Sequence, residues 1–417
     1  MGAMSEFVLE LTAMAHGGAA LGRHEGRVVF VPYAIPGERV RVEVVEDRGR
    51  YAHARLLEVL TPSPDRVQPR CPYFGTEGCG GCQWQHIAYE AQLRFKAQVV
   101  ADQLARIGRF ADPPVRSTLP DPSGWAYRNR ARFHPAPEGG LGFRVASGHR
   151  VVPVESCLLL HPLLTDLYEA LEIDQVPGLE SLTLRAGVAT GDRMVVFKME
   201  GDEPPSLLSD LPVSCVLLLA DGRHANLIGR NYITETVAEH TYRISAPSFF
   251  QVNTAQAAHL VRLVMEYLDP QPGQVILDGY CGVGLFTLPL AERAGLVVAV
   301  EWERSAVEDL LENTAEAENV EVVEGPVAAV LADLEEPLDG AVVDPPRTGL
   351  EKETVEGLVA AGPARIVYVS CDPATLARDG RRLAEAGYHL VEVQPVDVFP
   401  QTYHIETVSL WATGRRD

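Results

Sequence analysis

The sequence predicts a multidomain α/β protein with a small N-terminal β-barrel, a β-rich central region and a C-terminal doubly wound domain. The chain has 417 residues, which corresponds to about two to four domains. Apolar and polar residues alternate over short runs near the N-terminus, as in β-strands. From about Ser245, strand-like runs alternate with helical patterns, which is typical of a mainly parallel sheet.

The barrel is predicted for residues 4–62. Runs such as 28–31 and 39–44 are separated by Gly and Pro, a pattern typical of a small antiparallel barrel. The segment Thr-Pro-Ser-Pro-Asp at 61–65 then indicates a linker.

The central region is predicted for residues 63–244. It begins with a helical pattern over 86–110. Short β-like runs follow, including 182–185, 194–198 and 216–219. The C-terminal domain is predicted for 245–417, with strands at 275–278, 297–301, 340–344, 365–370 and 407–411.

Composition and charge narrow the class of protein. Hydrophobic residues make up 46% and charged residues 22% of the chain, which excludes wholesale disorder. No apolar run approaches 18 residues and no signal-peptide pattern is present, so we expect a cytoplasmic protein without a membrane partner. The net charge is −21, but residues 1–160 hold 19 Lys and Arg against 16 Asp and Glu. If RNA binds, the N-terminal part is therefore the expected platform.

The cysteines indicate a metal centre. Seven cysteines, without an export signal, argue against a disulfide framework. Cys71, Cys79 and Cys82 are spaced C-x7-C-x2-C with intervening glycines, and Cys157 lies in the same basic half. Cys215 and Cys281 are interpreted as small packing residues.

Polar residues at predicted strand ends indicate a binding crevice. A glycine-rich turn at 278–284 follows a buried strand and precedes an apolar run, which is typical of a nucleotide-binding turn. Glu301 ends the next strand, where its carboxylate suits two ribose hydroxyls. Asp344 and Cys371 follow two further strands, so a carboxylate and a thiol converge on this crevice. A cysteine after a strand is usually a core residue, but Ser, Asp and Pro flank this one at a strand exit.

Together these motifs resemble the RNA uracil-C5 methyltransferases that use S-adenosylmethionine. The resemblance rests on five motifs in the right order: Ser-Phe-Phe-Gln-Val-Asn at 248–253, the turn at 278–284, Asp-Pro-Pro-Arg at 344–347, the Ser-Cys-Asp-Pro segment at 370–379, and Asp-Val-Phe-Pro-Gln-Thr-Tyr-His-Ile-Glu at 397–406. Upstream, residues 4–62 are similar to a TRAM domain, an OB-like RNA-binding barrel. The resemblance is strongest to the bacterial 23S rRNA enzymes, and implies a Rossmann-like class I methyltransferase domain at 245–417.

The resemblance implies a covalent mechanism. Cys371 adds to uracil C6, and Glu406 removes the C5 proton after methyl transfer. Gln251, Tyr280, Glu301 and Asp344 are implied in the S-adenosylmethionine site. Two departures from the family pattern occur, because Leu285 replaces an Asn and Gly325 replaces a polar residue. The alternative for Glu406 is an ordinary surface carboxylate.

The resemblance also implies that Cys71, Cys79, Cys82 and Cys157 are ligands of a [4Fe-4S] cluster in the central domain. Structural zinc is the alternative, but zinc favours paired C-x2-C motifs, and only one such pair exists here. A structural or RNA-docking role is expected for the cluster, because methyl transfer moves no electrons.

RNA contacts are predicted for Arg128, Arg130 and Arg132, where basic and aromatic residues alternate on a predicted strand. A strand with a solvated charged face is the alternative. Phe249 and Phe250 suit either the core or base stacking.

The leading function is methylation of a uracil in 23S rRNA, at the type of site that the bacterial rRNA enzymes modify. The alternatives are the T-loop uracil of tRNA and a dual-site 23S rRNA enzyme. A DNA cytosine methyltransferase is expected to carry Pro-Cys where this chain has Ser-Cys. An RNA-binding regulator with a vestigial catalytic domain is expected to lack Cys371 or Glu406, and both are present. No obligate protein partner is evident.

Overall fold

A computed structural model describes residues 6–171, 176–201, 203–207, 211–219, 221–334 and 337–414. Residues 4 and 5 of the predicted barrel and residues 415–417 of the predicted C-terminal domain lie outside the described residues. Within the described ranges, no helix is both long enough and apolar enough to span a bilayer.

The N-terminal strands form a closed barrel in the order β1-β2-β3-β5-β4. Alternate residues such as Leu9, Val29 and Val40 fill its interior, which confirms the predicted barrel. The pairing of β3 with β5 is parallel, unlike the antiparallel pattern expected. The reason is topological, because a closed ring of five strands cannot be antiparallel at every pair. The strands are β1 (Glu6–Met14), β2 (Ala20–His24), β3 (Arg27–Val31), β4 (Arg39–Asp47) and β5 (Tyr51–Thr61).

The central region is β-rich, as predicted. A seven-stranded sheet has the order β12-β11-β10-β9-β6-β7-β8, and a β13-β14 hairpin follows it. Helix α2 (Pro162–Glu169) packs on the sheet through Leu164 and Leu167. The strands are β6 (Arg130–Pro135), β7 (Leu141–Arg144), β8 (Val151–Pro153), β9 (Leu179–Ala186), β10 (Arg193–Met199), β11 (Ser214–Leu218), β12 (His224–Ile228), β13 (Tyr232–Val237) and β14 (His240–Ser245).

The C-terminal part is a doubly wound α/β unit with the strand order β17-β16-β15-β18-β19-β21-β20. The first five strands in this order are parallel, and β21 is antiparallel to both of its neighbours. The strands are β15 (Val275–Gly279), β16 (Leu296–Glu301), β17 (Val320–Glu324), β18 (Gly340–Val343), β19 (Arg365–Ser370), β20 (His389–Val396) and β21 (Glu406–Ala412). The helices are α3 (Thr254–Leu268), α4 (Thr287–Ala291), α5 (Arg304–Asn313), α6 (Val327–Asp333), α7 (Lys352–Ala361) and α8 (Pro373–Glu385).

Helix α1 (Tyr89–Arg106) packs against the C-terminal sheet and its helix α8. Its buried face, including Phe95 and Leu104, belongs to the same hydrophobic cluster as Leu376 and Trp411. The segment after α1 also pairs with β20, because Leu119 forms a bridge to Val396. This helix, predicted within the central region, therefore joins that region to the C-terminal unit.

Candidate active site and cysteine cavity

The predicted catalytic residues meet at one edge of the C-terminal sheet. Asp344 follows β18 and Cys371 follows β19, and carboxyl ends of parallel strands share an edge. Glu406 is the first residue of the antiparallel strand β21 and therefore starts at the same edge. The Thr407 hydroxyl donates to the Ser370 carbonyl oxygen at 3.1 Å, which holds the two strand ends together.

Cys371 lies directly before α8. Asp372 caps this helix by accepting hydrogen bonds from the Ala374 and Thr375 N–H groups. Burial raises the pKa of the Cys371 thiol to about 12, with further contributions from the charges of Glu406 and Asp344. The thiol is therefore protonated at neutral pH in this arrangement.

Glu406 is buried, and burial together with the charge of Asp344 raises its pKa well above the usual range. Burial, followed by the charge of Asp278, raises the pKa of Asp344 to about 7. The charge of Arg347 opposes the shifts of both Glu406 and Cys371. The edge thus carries two carboxyl groups suited to hold or accept a proton near a thiol.

Arg347 is placed by His404, since its Nη2 lies 3.2 Å from His404 Nδ1. Burial lowers the pKa of His404 to about 3, and the charge of Arg347 lowers it further. The imidazole is therefore neutral, and its Nδ1 can accept a hydrogen bond from the guanidinium.

The glycine turn after β15 is fastened to the end of β16. Glu301 Oε2 accepts a hydrogen bond from the Gly282 N–H at 2.9 Å. Its Oε1 accepts from the Trp302 and Glu303 N–H groups at 2.8 and 2.7 Å. Gly284 has a φ of 97°, and a Cβ there would lie 2.8 Å from Leu310, so this turn needs glycine. The carboxylate is fixed by three N–H donors, which fill both acceptor sites of Oε1 and leave one on Oε2.

Tyr280 belongs to this turn, whereas Gln251 comes from the segment before α3. Tyr280 has a φ of 62°, and its hydroxyl lies 3.3 Å from Thr354 Oγ1 in α7. Gln251 is buried between β14 and α3, and its carbonyl oxygen accepts from Asn129 Nδ2 at 2.9 Å. Asp278, at the end of β15, is also buried and accepts from the Thr287 hydroxyl at 2.6 Å.

The two departures from the family pattern have different surroundings. Leu285 is buried in the core, and its carbonyl oxygen accepts from the Tyr242 hydroxyl. Gly325 has room for a side chain, since a Cβ there would make an ordinary van der Waals contact with a Val330 methyl at 3.8 Å.

Sequence reasoning missed Trp302, which directly follows Glu301 and is 68% exposed. The sequence feature that could have pointed to Trp302 is its position directly beside a predicted ribose-binding carboxylate. The two ambiguous phenylalanines differ, because Phe249 is 62% exposed whereas Phe250 is buried against Tyr242.

The four predicted cluster cysteines line a single cavity of about 420 Å³. Cys79 Sγ accepts a hydrogen bond from the Gly81 N–H at 3.4 Å. Across the ranges that the structure covers, no three His, Cys, Asp or Glu residues are grouped closely enough for a metal ion. The thiols thus surround a space instead of meeting at one point. The four are Cys71, Cys79, Cys82 and Cys157.

The predicted RNA-binding arginines lie on the wall of the same cavity. Among the described residues, the buried Arg128 Nε has no hydrogen-bond partner. Arg130 is half-buried at the start of β6, and Arg132 is exposed. All three arginines therefore line the cysteine cavity, and Arg132 on β6 is also accessible to solvent.

The fold and the site define a doubly wound α/β protein with a thiol and carboxyl groups at its binding edge, joined to a small barrel. Residues 215–326 and 332–413 match the family model described as tRNA (uracil-5-)-methyltransferase, and residues 7–57 match the TRAM domain model. An RNA methyltransferase of Streptomyces avermitilis is 38% identical, with 97% of this chain and 98% of the relative covered. One from Thermosynechococcus vestitus is 34% identical, with the same coverage of 97% and 98%.

A solved structure is also similar over the whole chain. The Pyrococcus abyssi tRNA (uracil-54, C5)-methyltransferase in complex with S-adenosyl-L-homocysteine has a TM-score of 0.77 and 28% identity. The match covers 97% of this chain and 100% of that chain. This chain belongs to the RNA (uracil-5-)-methyltransferase family, which confirms the predicted family and fold.

Proposed function

We propose that this protein methylates C5 of a uracil in RNA, with S-adenosylmethionine as the methyl donor. The observation that carries the proposal is the convergence of Cys371, Asp344 and the buried Glu406 at the carboxyl edge of the sheet. A thiol beside a buried carboxyl group supplies the nucleophile and the base that substitution at an unreactive ring carbon requires.

Cys371 adds to C6 as a thiolate, and the electron pair of the C5–C6 bond moves toward the C4 oxygen. The resulting enolate attacks the methyl group through C5, while the donor sulfur keeps the electrons of the broken S–CH3 bond. Glu406 then takes the C5 proton, the C5–C6 double bond re-forms, and the C6–S bond breaks to release the thiolate. Both reacting groups must be anionic when they act, and the charge of Arg347 favours the anionic form of each.

The donor is proposed to bind at the turn after β15. Glu301 already has three backbone N–H groups on its carboxylate, which fixes its direction, and its remaining acceptor site on Oε2 suits a ribose hydroxyl. The exposed ring of Trp302 suits the adenine face. Gln251, Tyr280 and Asp344 complete the proposed site.

The four cysteines fit the proposed [4Fe-4S] cluster, because four thiols line one cavity and the half-buried Arg128 lines it beside them. Cys71, Cys79, Cys82 and Cys157 would hold the cluster, and the guanidinium of Arg128, whose Nε has no hydrogen-bond partner among the described residues, would face its negative charge. When bound, the cluster would cross-link segments far apart in the chain, which is a structural role.

We propose 23S rRNA as the substrate, since the cysteine motif resembles that of the bacterial rRNA enzymes. The T-loop uracil of tRNA is the second candidate, favoured by the similarity to the Pyrococcus tRNA enzyme. A dual-site 23S rRNA enzyme remains the third. Arg130 and Arg132 are proposed to contact the RNA, together with Arg128 where the bound strand reaches it.

The test is incubation of anaerobically purified protein with methyl-labelled S-adenosylmethionine and either unmodified 23S rRNA or tRNA, followed by nucleoside analysis. We expect label in 5-methyluridine from rRNA, and fragment mapping then counts the sites. Label in 5-methyluridine from tRNA alone would show that tRNA, and not 23S rRNA, is the substrate. Label in neither RNA would contradict the proposed function. Iron and sulfide analysis of the same preparation tests the cluster, because a zinc site would contain neither.

Cys371→Ala is expected to abolish methylation without affecting folding or donor binding. Cys215→Ala is the matched control, since Cys215 is a buried core residue of β11. Turnover by Cys371→Ala at the rate of the control would refute the covalent mechanism.

A further inference from the structure

The loop at residues 397–405, called the base loop here, leads directly into Glu406 and contains a strained residue. Gln401 has a φ of 68°, which costs a non-glycine residue about 1–3 kcal/mol unless its surroundings enforce it. Such a conformation persists only where other contacts hold it. The contacts of Gln401 come from a distant part of the chain.

Gln401 is bonded through both its backbone and its side chain. Its carbonyl oxygen accepts from the Gln83 and Trp84 N–H groups at 3.1 and 3.0 Å. Its N–H donates to Gln92 Oε1 at 3.0 Å, and its own Oε1 lies 3.0 Å from Gln92 Nε2. Its Nε2 donates to the Gly124 carbonyl oxygen at 3.3 Å. All these partners lie within residues 83–124, outside the α/β unit that carries Glu406.

Gln92, in α1, is fully buried and links two segments. Besides Gln401, its Nε2 lies 2.9 Å from the Ile87 carbonyl oxygen and 3.2 Å from that of Trp84. The Trp84 and Ile87 segment directly follows the cluster cysteine Cys82. One amide therefore connects the end of the cysteine motif to the base loop.

Further contacts fix the first part of the base loop, residues 397–400. Lys96 Nζ, also in α1, donates to Asp397 Oδ1 at 2.5 Å and to the Phe399 carbonyl oxygen at 3.1 Å. The Tyr127 hydroxyl donates to the Pro400 carbonyl oxygen at 3.1 Å. The base loop is thus held from outside its own unit at four positions: Asp397, Phe399, Pro400 and Gln401.

We infer that Gln92 is a positioning residue for the catalytic base, acting through Gln401 to fix the base loop that presents Glu406. This inference rests on the proposed function. Misplacement of a reacting group by about 1 Å can slow a step about 100-fold. Addition of Cys371 and methyl transfer do not use Glu406, whereas release of the product does. Loosening the base loop therefore slows release selectively, and the covalent protein–RNA adduct persists.

The test uses the full-length protein carrying Gln92→Leu, which keeps the buried volume and removes the amide. We expect donor affinity within about twofold of wild type and multiple turnover reduced about 10-fold to 100-fold. We also expect a methylated protein–RNA adduct on a denaturing gel. A general loss of stability would not produce this adduct.

The matched control is Gln256→Leu in α3. Gln256 is also a fully buried helical glutamine, and its side chain bonds to the Pro120 carbonyl oxygen and to His259, neither of which belongs to the base loop. We expect no adduct from this variant. Gln401→Gly provides a second test if Gln92→Leu does not fold, because glycine adopts the positive φ without strain and only the side-chain bonds are lost. It is also expected to trap the adduct.

Wild-type turnover by Gln92→Leu would overturn the inference. A loss of activity without the covalent adduct in Gln92→Leu would also overturn the inference. If Gln92→Leu does not fold, the same result in Gln401→Gly would overturn it. Glu406→Gln, run in parallel, separates this failure from that of the proposed function. If Glu406→Gln traps an adduct and the positioning variants do not, only the role of Gln92 fails. If Glu406→Gln traps none, the base assignment fails and the inference fails with it.

Discussion

The buried ion pair between Lys96 and Asp397 predicts a large effect of Lys96→Met on stability. Both side chains have 0% exposure, and Nζ lies 2.5 Å from Oδ1. Methionine preserves the unbranched shape of lysine but removes the cation. The substitution therefore leaves the Asp397 carboxylate buried without its charge partner.

The magnitude follows from opposing contributions. At this distance and an effective dielectric constant of about 20, the direct attraction is about 7 kcal/mol. Desolvation offsets much of it, as shown by the lowering of the Lys96 pKa by burial. Removing one partner of such a pair typically costs about 3–5 kcal/mol, and we expect Lys96→Met to fall in this range.

The assay is denaturant unfolding followed by tryptophan fluorescence, since Trp84 and Trp411 are buried in the cluster that contains α1. Lys352→Met is the control, because Lys352 forms an exposed pair with Glu356 at 3.2 Å and is expected to cost less than about 1 kcal/mol. The double variant Lys96→Met, Asp397→Asn is expected to be more stable than Lys96→Met alone, since no buried charge is left unpaired.

Equal losses of stability in Lys96→Met and Lys352→Met would refute this reasoning. Apolar contacts alone would then account for the docking of α1 on the C-terminal sheet. A double variant less stable than Lys96→Met would show that the unpaired carboxylate is not the source of the cost.

Three further outcomes are expected. The pKa of Cys371 is raised to about 12, so its alkylation rate should rise throughout about pH 7–10, as measured by peptide mass spectrometry. Glu406→Gln should shift this pH profile to lower pH, because it removes a negative charge near the thiol. Identical profiles for the two proteins would contradict the charge coupling. Burial raises the pKa of Asp278 from 3.8 to about 7. Its contribution to the free energy of unfolding is therefore fully present below pH 3.8 and is lost as the pH rises to about 7. Asp278→Asn should therefore remove up to about 1.4 kcal/mol per pH unit of dependence in that window, measured by denaturant unfolding at several pH values. Gly18→Ala places a Cβ 2.6 Å from Tyr403 Cβ, at a φ of 85°, and should lower the free energy of unfolding by about 1–3 kcal/mol. Gly26→Ala is the control, because open space surrounds that position, and its free energy of unfolding should fall by less.

Some strands could not be predicted from the sequence pattern. The expected strands of the C-terminal unit match β15, β16, β18, β19 and β21, because each is a run of buried apolar residues. Strands β17 and β20 were missed, since Val-Glu-Val-Val-Glu at 320–324 contains no fully buried residue and 389–396 mixes His, Glu, Gln and Pro with its apolar residues. Edge strands carry a weaker hydrophobic pattern for this reason.

The sequence by itself determined which chemical groups reach the binding edge. Glu301, Asp344 and Cys371 each end or follow a strand, and parallel strands necessarily bring their carboxyl ends together. Their grouping therefore follows from local patterns alone. The family resemblance indicated Glu406, and the antiparallel pairing of β21 with β19 accounts for its location.

Only the tertiary structure decided how these groups are held and what faces the cysteines. Gln92 and Gln401 lie 309 positions apart, and neither carries a local pattern that predicts the contact. Arg128 was expected to contact RNA, and the fold places its guanidinium on the wall of the cysteine cavity, with an Nε that has no hydrogen-bond partner among the described residues. Secondary structure depends on neighbours in the chain, whereas these contacts depend on how α1 and the central sheet dock onto the C-terminal unit.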